Sequence, residues 1–210
     1  MINDEGEVIS IMTVYDISDC QESGRVEKLK EQGAEGIILK LGETLGGVPT
    51  LDDRFIEFVN ACVEQGLPYG VYYVSHASNE DKFQEEAKWI NDRLYEYLGE
   101  DLPELGIWWD MEVGVVCRED VWPQLRDAIG TMQSWYEGYN KIGIYAGYSY
   151  YYNYLDLDEL KYYDIPIWVA QYGYHENSLK AEHPELYHVA WQFTTHHETQ
   201  DENEWYGFRD

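Results

Sequence analysis

Midway along the chain stands Leu105-Gly-Ile-Trp-Trp-Asp-Met-Glu112. It is an apolar run that ends in two carboxylates two residues apart. Side chains alternate between the two faces of a strand. Trp108, Asp110 and Glu112 therefore share one face, and Ile107, Trp109 and Met111 share the other. The second set is wholly apolar and is expected to pack beneath helices. The first set carries both acids toward the other side, at the strand's C-terminal end. A strand covered by helices on one side, with charge at its C-terminal mouth on the other, is the pattern of a β/α barrel, whose chemistry sits at that mouth.

The rest of the chain extends this reading. Apolar runs predict further strands over 8–17, 36–41, 69–75, 141–146, 165–172 and 188–194. Helical spacing predicts helices over 25–32, 52–65, 79–98 and 120–139. The 52–65 segment places Phe55, Phe58, Val59 and Cys62 on one stripe and stops at Gly66. Alternation through about residue 147 predicts right-handed parallel βα units. Seven or eight strands at this length predict a single closed α/β barrel over residues 1–210. Beyond Gly147 only 156–163 reads as helical, so the C-terminal half is expected to be irregular and poorer in helices. An open doubly wound sheet would want a Gly-rich turn after its first strand. Here that turn reads Asp16-Ile-Ser-Asp-Cys-Gln21.

Composition narrows the function. The 210 residues hold 14 basic and 41 acidic side chains, a formal net charge of −27. That charge excludes a general nucleic-acid binder and argues against attachment to anionic lipid. No apolar run is long enough for a transmembrane helix, and Met1 to Glu7 do not read as a signal peptide. Cys20, Cys62 and Cys117 show no metal-ligand spacing. Neither a metal nor a cofactor is expected. His196-His197 beside Glu198 reads as a solvated turn, because adjacent strand residues point to opposite faces. The aromatic excess is mostly Tyr (20) and Trp (8), with only 5 Phe. Such rings combine an apolar face with a polar edge and suit an amphipathic ligand such as a saccharide.

Four acids are candidates for one cleft: Asp110 and Glu112, Asp16 at the end of the first strand, and Asp201 after the last. Like charges in a shared site raise one another's pKa. A protonated carboxyl beside an ionised one is what glycosidic cleavage needs. The i, i+2 spacing alone is compatible with the carboxyl separations of both retaining and inverting hydrolysis.

The chain resembles glycoside hydrolase family 25, the lysozymes that cleave bacterial peptidoglycan. The resemblance rests on Tyr15-Asp-Ile-Ser18, Ile37-Ile-Leu-Lys40, Asp52-Asp-Arg-Phe55 and Gly66-Leu-Pro-Tyr-Gly-Val-Tyr72. It continues through Trp109-Asp-Met-Glu112, Gly143-Ile-Tyr145, Tyr163-Asp-Ile-Pro-Ile-Trp-Val-Ala-Gln-Tyr172 and Trp191-Gln-Phe-Thr194. It implies a flattened, irregular β/α barrel that hydrolyses the β-1,4 bond between N-acetylmuramic acid and N-acetylglucosamine without a metal. By motif match Glu112 is the general acid and Asp110 its partner, with Asp16 and Asp201 as the first-strand and last acids. Tyr72, Tyr145, Trp168, Tyr172 and Gln192 match positions that shape the sugar subsites. The implied partner is the glycan strand of the wall, met outside the cell.

Three segments depart from the family pattern. Strand two ends Lys40-Leu-Gly-Glu-Thr44 where the family has a polar-Glu-Gly turn, so Glu43 stays outside the expected catalytic set. The usual Trp is absent beyond Gln21. The hairpin before the last acid is replaced by Thr195-His-His-Glu-Thr-Gln200, which leaves Glu198 as an alternative to Asp201. Two other functions compete. A chitinase-like enzyme would carry a third alternating acid where Trp108 stands. A non-catalytic carbohydrate-binding or tail-structural barrel would have no need of the Asp110/Glu112 pair. Repulsion between a −27 domain and anionic wall polymers leads us to expect a wall-binding module outside this chain, or a salty setting.

Overall fold

The computed structural model describes residues 11–194 and 201–209. In chain order its elements are β1 (Met12–Ile17), α1 (Arg25–Glu31), β2 (Gly36–Leu45), β3 (Val48–Leu51), α2 (Phe55–Gln65), β4 (Tyr69–Val74) and α3 (Glu80–Leu98). There follow β5 (Ile107–Asp110), α4 (Val121–Trp135), β6 (Ile142–Gly147), α5 (Tyr148–Tyr154), α6 (Leu157–Tyr162), β7 (Ile167–Ala170), α7 (Ser178–Glu182), β8 (His188–Gln192) and β9 (Asp201–Trp205).

Eight of these strands close a ring. β1, β2, β4, β5, β6, β7 and β8 run parallel, each bonded to the next. β9 closes the barrel by pairing antiparallel with both β8 and β1. β3 lies outside the ring as the second arm of a hairpin with β2. Helix boundaries follow local chemistry. The Asn79 side chain accepts from the Lys82 N–H at 3.1 Å and starts α3. α2 stops at Gly66, which takes the left-handed conformation (φ 60°) that a side chain would oppose.

Burial divides the core into two layers, as the strand-five alternation predicts. Ile107, Trp109 and Met111 belong to the layer between barrel and helices, where Trp109 meets Phe83 of α3 with ring centroids 5.7 Å apart. Trp108 points into the barrel with Val14, Ile38, Tyr145, Trp168 and Trp205. Its indole meets Trp168 and Trp205 edge-on and stacks on Phe208. Gly143 of β6 is the register partner of Trp108. A Cβ at Gly143 would lie 2.5 Å from the Trp108 ring, so the missing side chain makes room for the indole.

Several boundaries differ from the sequence reading. β2 runs on to Leu45 and turns back as β3, a hairpin that the short apolar run over 36–41 did not reveal. The second half holds more helix than expected, because α5 and α7 form as well as α6. α5 was hidden by its composition: Tyr-Ser-Tyr-Tyr-Tyr-Asn-Tyr shows no apolar stripe, yet Tyr150 and Tyr151 are buried. Asp201 does not follow the last strand; it opens a further one, β9. Residues 8–10, His196, His197 and Glu198 lie outside the described residues.

Candidate active site

The C-terminal ends of the parallel strands bring the predicted acids together. Asp16 nears the end of β1, Asp110 ends β5, and Glu112 follows two residues on. Asp201 enters from the antiparallel strand as the direct register partner of Asp16. Asp110 is buried, Asp16 and Asp201 are half-buried, and Glu112 is exposed at the mouth.

Two amides hold Asp16. The Gln192 Nε2 and Asn203 Nδ2 groups both donate to its Oδ2, at 2.9 and 2.8 Å. Asn203 is itself fixed by the Trp168 indole N–H, which donates to its Oδ1 at 2.7 Å. The Gln192 Oε1 accepts from the hydroxyls of Tyr145 (2.7 Å) and Tyr172 (2.5 Å). Tyr145 Oη also lies 3.3 Å from Glu112 Oε1. A single hydrogen-bonded chain thus runs from Asp16 through Gln192 and Tyr145 to Glu112. It orients two carboxyls that lie far apart in the sequence.

The electrostatics follow from crowding in a poorly solvated place. Loss of hydration raises the Asp16 pKa to about 7; Asp201 adds to the rise, and the two amide donors oppose it. Desolvation also pushes Asp110 well above the carboxylate range, with Glu112 and Asp16 adding repulsion and Lys40 opposing it. Glu112 is raised by partial desolvation and by Asp201, against the Tyr145 hydrogen bond. Asp110 Oδ1 is buried without a hydrogen-bond partner among the described residues. Desolvation and mutual repulsion therefore favour protonated carboxyls in the groove.

The other predicted residues occupy different depths. Tyr172 is exposed, Tyr72 is half-buried and Tyr145 is buried with its hydroxyl in the chain just described. Gln192 and Trp168 are 1% and 2% exposed and lie one layer below the groove surface. Their place is to hold acids and neighbouring rings. Sequence reasoning missed Asn203, although its i+2 spacing from Asp201 puts both on one face of β9. It also missed a polar cluster beside Asp110. Glu43 accepts from Lys40 Nζ at 2.7 Å and lies 2.9 Å from His76 Nε2. Beneath them the buried Glu86 of α3 accepts from Thr44, Ser75 and the His76 N–H, tying the ends of β2 and β4 together. Three residues apart on a regular strand, Lys40 and Glu43 would face opposite sides; the register shift between Lys40 and Gly42 lets them meet, so the sequence carried no signal of the pair. Among the described residues no group of three or more His, Cys, Asp or Glu is arranged to hold a metal ion.

A family model for glycosyl hydrolases family 25 matches residues 15–202, which takes in all four acids. The chain belongs to glycosyl hydrolase family 25. Solved structures agree on the fold. The modular autolysin LytC from Streptococcus pneumoniae is 24% identical with a TM-score of 0.74, covering 98% of this chain and 50% of that one. The same autolysin is known in complex with a synthetic peptidoglycan ligand. The catalytic domain of endolysin ply40, from bacteriophage P40 of Listeria monocytogenes, is 21% identical with a TM-score of 0.70 and covers 94% of each chain. A family GH25 lysozyme from Aspergillus fumigatus is 18% identical with a TM-score of 0.70, covering 94% of this chain and 95% of that one. A search of curated proteins returned no match. The chain spans half the length of the autolysin, so it corresponds to one part of that modular protein. As a member of family 25, the chain brings its acids together at the mouth of the barrel.

Proposed function

We propose that this domain cleaves the β-1,4 bond between N-acetylmuramic acid and N-acetylglucosamine in bacterial peptidoglycan. The observation that carries the proposal is the hydrogen-bonded chain from Asp16 to Glu112 beside the buried Asp110, in a groove that favours protonated carboxyls. Glu112 is the member that a substrate oxygen can reach, and it donates its proton as the bond from anomeric carbon to oxygen breaks. Asp110 stabilises the positive charge that develops on the sugar ring or orients the 2-acetamido group. Partial desolvation, with the nearby charge of Asp201, helps keep Glu112 protonated until the substrate arrives. Tyr72 and Tyr172 border the groove where sugar rings would lie. The domain acts at the bacterial cell wall, where a wall-binding module outside this chain, or a salty or cation-rich setting, offsets the repulsion set by its own charge.

Replacing Glu112 by Gln keeps the shape and removes the proton. Release of reducing ends from purified peptidoglycan should fall by ~100-fold or more, with the unfolding midpoint unchanged. In the wild type the new reducing end should be muramic acid. A reducing glucosamine end would mean another glycosidase, and turnover near wild type in the variant would remove Glu112 from the acid role.

A further inference from the structure

A phenol has one proton to donate, and two acceptors compete for that of Tyr145. Its hydroxyl lies 2.7 Å from Gln192 Oε1 and 3.3 Å from Glu112 Oε1. Gln192 cannot turn over to relieve the competition, because the bonds behind it have fixed directions. The Trp168 indole N–H only donates, so Asn203 faces it with Oδ1, at 2.7 Å. The Asn203 amide is left to donate to Asp16 Oδ2 at 2.8 Å and to the Val14 carbonyl at 3.1 Å. Asp16 Oδ2 is therefore an acceptor, and Gln192 presents its own amide to it at 2.9 Å. That turns Gln192 Oε1 toward the phenols of Tyr145 and Tyr172. Gln192 is 1% exposed, so its carbonyl oxygen depends on protein donors.

One donor satisfies a buried carbonyl oxygen, and Tyr172 supplies it at 2.5 Å. The Tyr145 proton can then turn to Glu112. Without the Tyr172 hydroxyl, Gln192 would hold that proton, since otherwise two oxygens would face each other at 2.7 Å with no proton between them. Among the described residues Tyr145 is the one hydrogen-bond donor to the Glu112 side chain.

We infer that Tyr172 is a positioning residue for Glu112: by satisfying Gln192 it frees the Tyr145 proton for the carboxylate that Glu112 becomes during the reaction. The inference rests on the proposed role of Glu112 as the acid. In that step the bond from anomeric carbon to oxygen breaks, its electron pair stays on the oxygen, and the Glu112 proton moves there. The Tyr145 proton remains on Tyr145 and changes only the oxygen it faces. A hydrogen bond to an ionised acceptor is the stronger kind, so the donor favours the charged form of Glu112. The surroundings oppose that form. Asp110 on β5, Asp16 on β1 and Asp201 on β9 all repel charge on Glu112, while Lys40 and Glu43 of β2 act on Asp110 with opposite signs.

The test follows the Glu112 carboxyl carbon by NMR through a pH titration of the free protein, with Glu112→Gln identifying the signal. Tyr145→Phe removes the donor and should raise the Glu112 midpoint by about 0.5–1 pH unit. Tyr172→Phe should raise it by a smaller amount, although it alters a residue bonded to Gln192. Neither change touches the charges around Glu112. The double variant should match Tyr145→Phe alone, because Tyr172 acts through Tyr145. On peptidoglycan the alkaline limb of the pH–rate profile should move to higher pH in the same order, since a raised midpoint keeps the acid protonated longer. An unmoved midpoint in Tyr172→Phe overturns the inference, and that variant decides even if Tyr145→Phe does not fold. A double variant that shows the sum of the two single shifts also overturns it, by giving Tyr172 a route of its own. If the wild type cleaves no peptidoglycan, the acid role fails by itself, and the NMR titration still accepts or rejects the link from Tyr172 to Glu112.

Discussion

At the residue scale the barrel mouth is a problem of proton placement. Asp16, Asp110 and Glu112 all hold protons more tightly than free carboxylic acids do, and desolvation is the first cause in each case. Asp201 adds charge to this set, raising both Asp16 and Glu112. Asp201→Asn removes that charge at nearly constant volume, so the Glu112 pKa should fall toward its ordinary value. The alkaline limb of the pH–rate profile reports loss of the protonated acid and should therefore move to lower pH. Glu198→Gln should leave the limb in place. If Glu198→Gln moves it and Asp201→Asn does not, the final acid has been assigned to the wrong residue. Legibility also differed by residue. Asp110 and Glu112 could be read from an apolar strand ending in acids. Asn203 could not, because its importance comes from bonding Asp16 across 187 positions of sequence.

At the scale of elements, strand five is set by its neighbours as much as by its own residues. Trp108 fits inside the barrel only because β6 places a glycine opposite it. Gly143→Ala would put a Cβ 2.5 Å from both the Trp108 ring and the Pro166 carbonyl oxygen. Overpacking of this kind costs about 1–3 kcal/mol. Chemical denaturation should show that loss as a lower midpoint at unchanged slope. A variant as stable as the wild type would show that the tryptophan plug can shift without penalty. The alternation in 105–112 announced which side chains face inward. It could not announce the matching glycine, since Gly143 reads as an unremarkable residue in an apolar run until the β5–β6 register is known. The hairpin from β2 to β3 and the helix α5 escaped for a related reason: their polar and aromatic residues lack the periodic apolar pattern that marks an element.

For the molecule as a whole, net charge is the dominant feature. A domain at −27 approaching a wall with anionic polymers meets repulsion whose range is set by salt, about 10 Å at 0.1 M. Activity on intact walls should therefore climb as ionic strength goes from very low to moderate values. On a short neutral oligosaccharide the climb should be much weaker. Equal salt profiles on the two substrates would rule out net charge as the cause and would weaken the case for a separate wall-binding module. The same acidity does not prevent folding. The buried layers are apolar and aromatic, and the carboxylates lie mainly on the surface or in the groove.

The sequence alone determined the class of fold, the inward and outward faces of strand five and the pair Asp110 and Glu112. These are local properties, carried by the period of side-chain direction along a few residues. Tertiary structure decided how the ring closes and which groups keep the acids in place. β9 runs antiparallel between β8 and β1, and that single pairing sets Asp201 against Asp16 and brings Asn203 beneath it. No local pattern encodes a pairing between strands more than 180 residues apart. Its register is fixed by the alternate residues that β9 buries, with Asn203 and Trp205 turned inward and Asp201 left at the mouth, because a slip of one residue would send that inner face outward.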